Sequence, residues 1–254
     1  MDEPYSFHNQ VRAVLRAAGP MAMVCGVTSL RVAGVDLPWR LDRDQRIWIQ
    51  VPKHQNWPRR PGVRLVRSDR DDQPVMVQGL PSLSLPYVWL QLAAHLSIDE
   101  LVEVADALTR RHNPMTTKVE LGMVIDLRLG ARGVARAREA LELSAEGTDS
   151  LPETDLRLLV VRANLPTPIV NLPVVDDSGR VIHILDLAYK KPKVAIEYDG
   201  AYHVSDRLQM QQDAARRRHL EDLGWRIITV TSADLANDPA GVIASIRRAL
   251  QRSS

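Results

Sequence analysis

Several kinds of residue pattern are scarce or missing in this chain of 254 residues. A single cysteine, Cys25, excludes a disulfide within the chain and fits a reducing cytoplasm. No apolar run approaches the roughly 18 residues that a membrane span needs. Residues 1–9 also lack the basic and then apolar pattern of a signal peptide. With 45% hydrophobic and 25% charged residues, the composition predicts a cytoplasmic globular protein that does not contact a membrane.

Lysine is also scarce, although the chain is rich in basic residues. Only five of the 33 basic residues are lysine, and the other 28 are arginine. The 31 acidic residues nearly cancel them, which leaves a formal net charge of +2. This balance excludes a protein that coats nucleic acid by bulk positive charge, but it leaves room for local arginine patches.

The first 145 residues predict a mixed α+β domain. Apolar residues at helical spacing predict a helix over 7–18, which Gly19 and Pro20 end. Extended segments at 46–51, 63–67 and 75–78 alternate with turns rich in proline and arginine. From 85 to 143 the pattern is helical, with a capping-box signature from Ser97 to Glu100.

The second half has a different order of elements. A small, polar stretch at 144–149 is the best candidate for a linker. Residues 150–254 then predict a domain of α/β class with the order αβββαβα, in which Asp238 caps the last helix and Pro239 is its first residue.

Three carboxylates stand on two neighbouring strands of this domain. Asp186 and Glu197 lie in apolar strand contexts that a turn of about four residues joins, so the strands form a hairpin. Asp186 is then opposite residues 195–197 to within one register step, and cross-strand Cβ atoms are about 5 Å apart. Because strand side chains alternate, Asp199 projects from the same face as Glu197. The hairpin is expected to bring two or three carboxylates close together.

Like charges at this spacing repel, and two outcomes relieve the repulsion. One carboxylate takes up a proton, or a cation binds between them. Hard oxygen ligands suit Mg²⁺ or Mn²⁺, which could hold an attacking water and a phosphate oxygen together. The alternative is that Asp186 and Glu197 are strand-edge carboxylates that pair with lysines of the adjoining turn, which are Lys190, Lys191 and Lys193.

Two motifs of this half resemble the Vsr-like endonuclease branch of the PD-(D/E)xK nuclease superfamily. The first is Asp186 followed by Glu197-Tyr198-Asp199-Gly200 and His203. The second is the run over 213–228, which combines Asp-x-x-Arg-Arg with Leu-Gly-Trp-Arg. The resemblance covers residues 150 to about 235, and the combination is specific although each piece alone is weak. It implies a restriction-endonuclease-like fold, a divalent metal and hydrolysis of phosphodiester bonds.

The resemblance also assigns roles to single residues. Asp186 matches the aspartate of the first metal motif, Glu197 the acid of the second, and Glu153 the glutamate on the helix before the sheet. The superfamily's lysine, two residues after the second acid, is Asp199 here. Vsr-like branches also lack that lysine and have histidines nearby, so His203 is the candidate for proton transfer.

Simpler roles remain open for these neighbours. Glu153 completes a Ser-x-x-Glu capping box, Asp199 could only shape the turn before Gly200, and His203 could be an exposed loop residue.

One face of the following helix carries a second set of candidates. Asp213, Arg216 and Arg217 share that face at i, i+3 and i+4. They form either a salt-bridged surface or a phosphate-binding group in which Asp213 holds the arginines. Together with the three turn lysines, they predict a basic, nucleic-acid-binding rim around an acidic centre.

The first half carries a weaker resemblance. Its order and the motif Arg59-Arg60-Pro61-Gly62 resemble the middle region of actinobacterial-type proteins that carry this nuclease domain and the AbiEi-type antitoxin regulators of abortive-infection systems. Such proteins often begin with a DNA-binding winged helix, which this sequence is not expected to contain. Arginines of this half either track a phosphate backbone or form a solvated loop surface, and they are Arg59, Arg60, Arg64, Arg67 and Arg70.

The leading hypothesis is therefore a Mg²⁺-dependent DNA endonuclease or nickase. The alternative is a nucleic-acid-binding regulator or antitoxin with an inactive nuclease domain, and a third option is a protein-binding scaffold. Geometry discriminates the first two. Asp186 and Glu197 converging on one point would favour metal binding, whereas carboxylates occupied by a lysine or arginine would favour the regulator.

Overall fold

A computed structural model describes residues 6–69, 72–200 and 207–252 of the chain. The contacts divide the chain into two compact units, residues 1–144 and 145–254. The division lies at the start of the small, polar stretch at 144–149. Within the described residues, none of the helices combines the length and apolar character that crossing a bilayer requires.

The N-terminal unit packs helices on a five-stranded mixed sheet. Its helices are α1 (Phe7–Ala18), α2 (Gly26–Ala33), α3 (Trp39–Asp42), α4 (Leu85–Leu92), α5 (Ile98–Leu108), α6 (Lys118–Leu127) and α7 (Val134–Leu143). Its strands are β1 (Met23–Val24), β2 (Ile47–Pro52), β3 (Val63–Ser68), β4 (Val75–Val77) and β5 (Leu80–Ser82). The strand order is β3-β2-β1-β5-β4, so the shortest strand, β1, lies at the centre of the sheet.

Local sequence signals explain most of these boundaries. Helix α1 spans the predicted 7–18, because Val11, Leu15 and Ala18 form its buried face. The predicted capping box of α5 is present, since Ser97 and Glu100 bond to each other's backbone N–H groups. The pattern did not indicate β1 and β5, which have only two and three residues.

The C-terminal unit confirms the predicted α/β class and adds one short helix to the predicted order. Its elements are α8 (Leu151–Arg162), β6 (Ile169–Val175), β7 (Val181–Tyr189), β8 (Val194–Asp199), α9 (Arg207–Asp222), β9 (Arg226–Thr231), α10 (Ser232–Asn237) and α11 (Pro239–Gln251). The sheet order is β6-β7-β8-β9, with β8 and β9 parallel and the other pairs antiparallel.

This second sheet is covered on both faces. Leu187 and Ile196 belong to a core that also contains residues of α8 and α11. Ala195, Leu220 and Trp225 belong to a separate core beside α9. Strand β8 is therefore buried through its first half, and its polar residues come only at its C-terminal end.

The β7–β8 pairing ends where the acidic residues begin. The paired residues run from Tyr189 opposite Val194 to Leu187 opposite Ile196. Strand β8 continues beside β9 as far as Asp199. The next position along β7 is Asp186. From there on, the backbones of β7 and β8 are no longer paired, so side chains fill the space between the two strands; we call this the open end of the hairpin.

Candidate active site

Asp186 lies at this open end of the hairpin. Its Oδ2 accepts a hydrogen bond of 2.9 Å from the backbone N–H of Tyr198. The pKa of Asp186 is raised to about 7, chiefly by burial and in part by the nearby carboxylates of Glu153 and Glu197, against the opposing effects of that hydrogen bond and of Arg216. Burial and neighbouring acids therefore outweigh the attraction of the neighbouring cation at this aspartate.

Glu153 brings a second carboxylate to the site from the first turn of α8. It is 7% exposed, and it accepts hydrogen bonds from the N–H of Asp149 at 3.0 Å and the hydroxyl of Ser150 at 2.9 Å. Ser150 is the N-cap and accepts from the N–H of Glu153. The Glu153 carboxylate holds the N–H of Asp149 and the Ser150 hydroxyl, so it supports the cap without closing the predicted capping box, and its charge also acts on Asp186. The two roles are compatible, because the cap fixes the carboxylate in place.

Glu197 is bound to an arginine through both of its oxygens. Arg216, on α9, donates from Nη1 to Oε2 at 2.7 Å and from Nη2 to Oε1 at 2.6 Å. Its Nη2 also donates to the carbonyl of Ile184 at 2.8 Å. This geometry is the two-pronged guanidinium–carboxylate pair, and it anchors α9 to β7 and β8 at once.

The other residues of the α9 face are placed differently. Asp213 acts electrostatically on Arg216, but Glu197 is the carboxylate whose hydrogen bond contributes most to raising the pKa of Arg216. Arg217 donates to the hydroxyl of Thr229 on β9. The sequence offered Asp213 as the residue that holds these arginines, and in the structure the hydrogen-bonded carboxylate partner of Arg216 is Glu197 of β8, a pairing that the spacing did not indicate.

The turn lysines lie away from the carboxylates. Lys190 and Lys191 are exposed at the closed end of the hairpin, four and five residues from Asp186. At about 3.3 Å per residue, this is roughly 13 Å along the strand. Lys193 donates to the carbonyl of Leu223 at 2.7 Å, just beyond the C-terminal end of α9.

Of the two remaining candidates, Asp199 and His203, the structure describes only Asp199, at the end of β8. Asp199 is exposed and lies in register with Thr231 of β9. His203, the candidate for proton transfer, lies outside the described residues.

A pair of histidines beside the site was not indicated by the sequence. His183 Nε2 and His219 Nδ1 are 3.1 Å apart, and the rings meet edge to face. Burial lowers the pKa of His183, and Arg216 lowers it further. The two residues are 36 positions apart, so only the packing of α9 on β7 brings them together.

The carboxylates at the open end could supply only part of the ligand set of a hard divalent cation. No group of three His, Cys, Asp or Glu side chains able to hold a metal lies in the parts of the chain that the structure describes. Asp186 and Glu153 are the candidate carboxylates, because both oxygens of Glu153 accept hydrogen bonds from the neutral donors of Asp149 and Ser150, whereas both oxygens of Glu197 are bonded to the cationic Arg216. One or two carboxylates completed by water and substrate phosphate are a typical Mg²⁺ environment. The residues thus fit an ion shared with a phosphate, not one enclosed by protein ligands.

Comparison with known proteins supports a nuclease-like interpretation of this region. The restriction endonuclease-like family REase_MTES_1575 matches residues 173–250. The match includes Asp186, Glu197 and Arg216, and it begins after Glu153. The C-terminal unit therefore carries a restriction endonuclease-like domain.

Two curated relatives match over a longer segment. They are the uncharacterized proteins MT2308, of Mycobacterium tuberculosis strain CDC 1551 / Oshkosh, and Rv2248, of strain ATCC 25618 / H37Rv. Each is 26% identical over 177 residues, which is 70% of this chain. The matched region spans 64% of the length of each relative.

Proposed function

We propose that the protein is a metal-dependent DNA endonuclease or nickase that hydrolyses phosphodiester bonds. The single observation that carries the proposal is the setting of Asp186. It is a half-buried carboxylate with a raised pKa, it lies where the β7–β8 ladder ends, and it is beside two further acids in a region that matches a restriction endonuclease-like family. Burying acids together destabilises a fold unless a proton or a cation compensates for it.

Asp186 and Glu153 are the proposed holders of Mg²⁺ or Mn²⁺, and Glu197 joins them when its guanidinium partner is released. When bound, the ion supplies positive charge for the transition state and lowers the pKa of an attacking water. Asp199, at the end of β8, and His203 assist, and His203 is proposed to take or give the proton. The superfamily's lysine is absent, so a positive charge at this place comes from another element.

Arg216 is the residue proposed to supply that charge. A guanidinium binds a phosphate with the same two-pronged geometry that it uses for a carboxylate. A substrate phosphate that reaches Arg216 would therefore compete with Glu197 for the same two N–H groups. In this proposal phosphate binding frees Glu197, and Arg217 and the turn lysines hold more distant phosphates.

A cleavage screen tests the proposal. The full chain is incubated with Mg²⁺ or Mn²⁺ and with supercoiled, linear, single-stranded and mismatched DNA and RNA. We expect metal-dependent nicking of at least one DNA substrate and its loss in Glu197→Ala. Cleavage by Glu197→Ala at the wild-type rate would contradict the site assignment.

A second function is favoured by one specific observation, which is that Arg216 occupies both oxygens of Glu197. A nucleic-acid-binding regulator of the AbiEi type, acting in phage defence or a toxin–antitoxin pair, would keep that ion pair closed permanently. It predicts DNA binding that tightens as salt falls, with no cleavage under any metal. Metal-dependent cleavage in the screen would exclude it.

A further inference from the structure

Cationic side chains crowd one cleft of the N-terminal unit. The cleft consists of two cavities of about 370 and 440 Å³, and both are lined by His95. We call it the His95 cleft. Its basic residues, besides His95, are Arg40, Arg43, Arg46 and Arg64 in the first cavity and Arg67, Arg128 and Arg132 in the second.

Three of these arginines have carboxylate partners. Arg40 pairs with Glu100 at 2.5 Å, Arg46 with Asp44 at 2.7 Å, and Arg128 with Asp72 at 2.5 Å. Within residues 6–69, 72–200 and 207–252, the ion pairs of the structure give no such partner to the other four, which are Arg43, Arg64, Arg67 and Arg132. Positive charge is therefore in excess in the cleft.

The centre of this excess is a stack of three side chains. The guanidinium of Arg64 lies 3.9 Å from the centroid of the Trp48 ring, and its Nη2 is 3.2 Å from Nε2 of His95. Trp48 is fixed in turn, because its indole N–H donates to Asp44 at 3.1 Å. Since a guanidinium has no acceptor, Arg64 must donate and His95 must accept, which leaves this ring nitrogen without a proton.

The electrostatics of His95 fit this geometry. Burial lowers its pKa, and Arg64, Arg132 and Arg40 lower it further. The pKa of Arg64 is also lowered, first by burial and then by Arg46. These groups repel one another across a cavity wide enough for a small anion, so a bound anion would stabilise them.

We propose that the His95 cleft binds backbone phosphates of nucleic acid, with Arg64 and Arg132 as the anion contacts. Arginine binds phosphate with two parallel hydrogen bonds, which favours phosphate over a monovalent inorganic ion. Arg43 lies 4.7 Å from the centroid of the Trp39 ring, and Trp39 is 72% exposed. This ring at the rim offers a stacking surface for a base, and the adjoining cavities offer room for more than one phosphate.

The inference goes beyond the proposed nuclease function, because every residue of the cleft lies in the N-terminal unit. It would hold for a nuclease and for a regulator. Binding in EDTA is measured apart from cleavage, so the two proposals can fail separately.

Fluorescence anisotropy on the full chain tests the inference with a labelled DNA oligonucleotide in EDTA. We expect Arg64→Gln and Arg132→Gln each to raise Kd about three- to tenfold and to reduce the salt slope by about one unit. The matched control is Arg16→Gln, an exposed arginine of α1 that does not line the cleft, and we expect a change of less than about twofold. Equal losses in all three variants, or no loss in either cleft variant, would overturn the proposal.

Two further measurements keep the result interpretable. Because Arg64 packs on Trp48, its loss could disturb folding, but Arg132 is exposed and its variant tests the cleft without that complication. NMR signals of His95, assigned with His95→Gln, are expected to shift when the oligonucleotide binds. Binding of inorganic phosphate as tight as that of the oligonucleotide would overturn the nucleic-acid assignment.

Discussion

The candidate sites of the two units concentrate charges of opposite sign, and their charged side chains have different kinds of partner. In the C-terminal unit, Asp186 is half-buried beside Glu153 and Glu197, and its pKa is raised. In the N-terminal unit, His95 lies among arginines, and its pKa is lowered. Each group is pushed toward its neutral form first by burial and then by neighbours of its own charge. The comparison suggests complementary partners, a cation for the acidic site and an anion for the basic cleft.

The difference also lies in how each site uses its ion pairs. Arg216 and Glu197 are a closed, two-pronged pair that joins a helix to two strands. In the cleft, Arg40 and Arg46 have carboxylate partners at its edge, whereas Arg64 packs on a tryptophan. We therefore expect the C-terminal ion pair to contribute more to stability than the Arg40–Glu100 or the Arg46–Asp44 pair, whose arginines are more than half exposed.

The largest effect on stability is expected from Arg216→Ala. The change leaves Glu197, whose side chain is 15% exposed, without its partner, and it frees the Ile184 carbonyl. Breaking a pair of this kind should lower the free energy of unfolding by about 2–3 kcal/mol. Urea denaturation measures the loss, and hydrogen exchange should locate it in residues 145–254.

The neighbouring arginine is the matched control. Arg217 is exposed and bonds to the hydroxyl of Thr229, so Arg217→Ala should lower the free energy of unfolding by less than about 1 kcal/mol. Equal losses of unfolding free energy in the two variants would mean that the Arg216–Glu197 pair contributes no more to stability than an ordinary surface contact. The proposed difference between the two units would then be wrong.

A smaller effect, opposite in sign, is expected from Asp186→Asn in the absence of metal. The pKa of Asp186 is about 7 in the folded protein against an ordinary value of 3.8. The folded state therefore holds a proton that the unfolded state has lost, and stability falls as pH rises from about 4 to 7. At about pH 8 the variant should be more stable than the wild type by about 1–2 kcal/mol, because it carries no buried charge.

Thermal unfolding at several pH values, with a chelator present, checks this. The gain should shrink to nothing near pH 4, and Asp199→Asn, which changes an exposed carboxylate of the adjoining strand, should show no such gain. A loss of stability at about pH 8 would show that Asp186 is well compensated in the folded protein.

The smallest effect, with the reverse dependence on pH, is expected at the edge of the His95 cleft. The hydrogen bond from Arg40 lowers the pKa of Glu100 from 4.5 to about 2, with help from the N–H of Ser97. This carboxylate therefore stabilises the fold above about pH 4.5, and the stabilisation is lost as pH falls toward 2. Glu100→Gln keeps the helix cap, and because Arg40 is 57% exposed it should lower stability by about 1 kcal/mol or less.

Calorimetry at about pH 7 and about pH 3 compares this variant with the wild type. The difference between them should be smaller at the lower pH. A difference that grows on acidification would reverse the sign assigned to this pair, and it would remove the contrast in pH dependence between the units.

Sequence patterns predicted the elements that have strong local signals. The stripe of α1, the capping box at Ser97 and the cap of α11 at Asp238 depend on residues within four positions of one another. Strands β1 and β5 were missed, because two or three residues cannot show a period. They are strands because neighbouring strands pair with them, β2 with β1 and β4 with β5.

The sequence predicted the part of the site that lies on the hairpin, but not the contacts that other elements make with it. Alternation and the turn placed Asp186 and Glu197 near each other, because a hairpin fixes its own register. The partner of Glu197 was not predictable, since Arg216 reaches it from a helix 19 residues away along the chain.

Cleavage by Asp186→Asn, measured beside DNA binding by the same protein, tests the central claim most directly. With Mg²⁺ or Mn²⁺ and the substrate that the screen selects, we expect cleavage to fall at least about 100-fold, since the variant loses the proposed metal ligand. Its Kd for DNA in EDTA should stay within about twofold of the wild type, because the cleft arginines are intact. Cleavage at the wild-type rate by Asp186→Asn would contradict the claim that this buried carboxylate is the centre of a nuclease site.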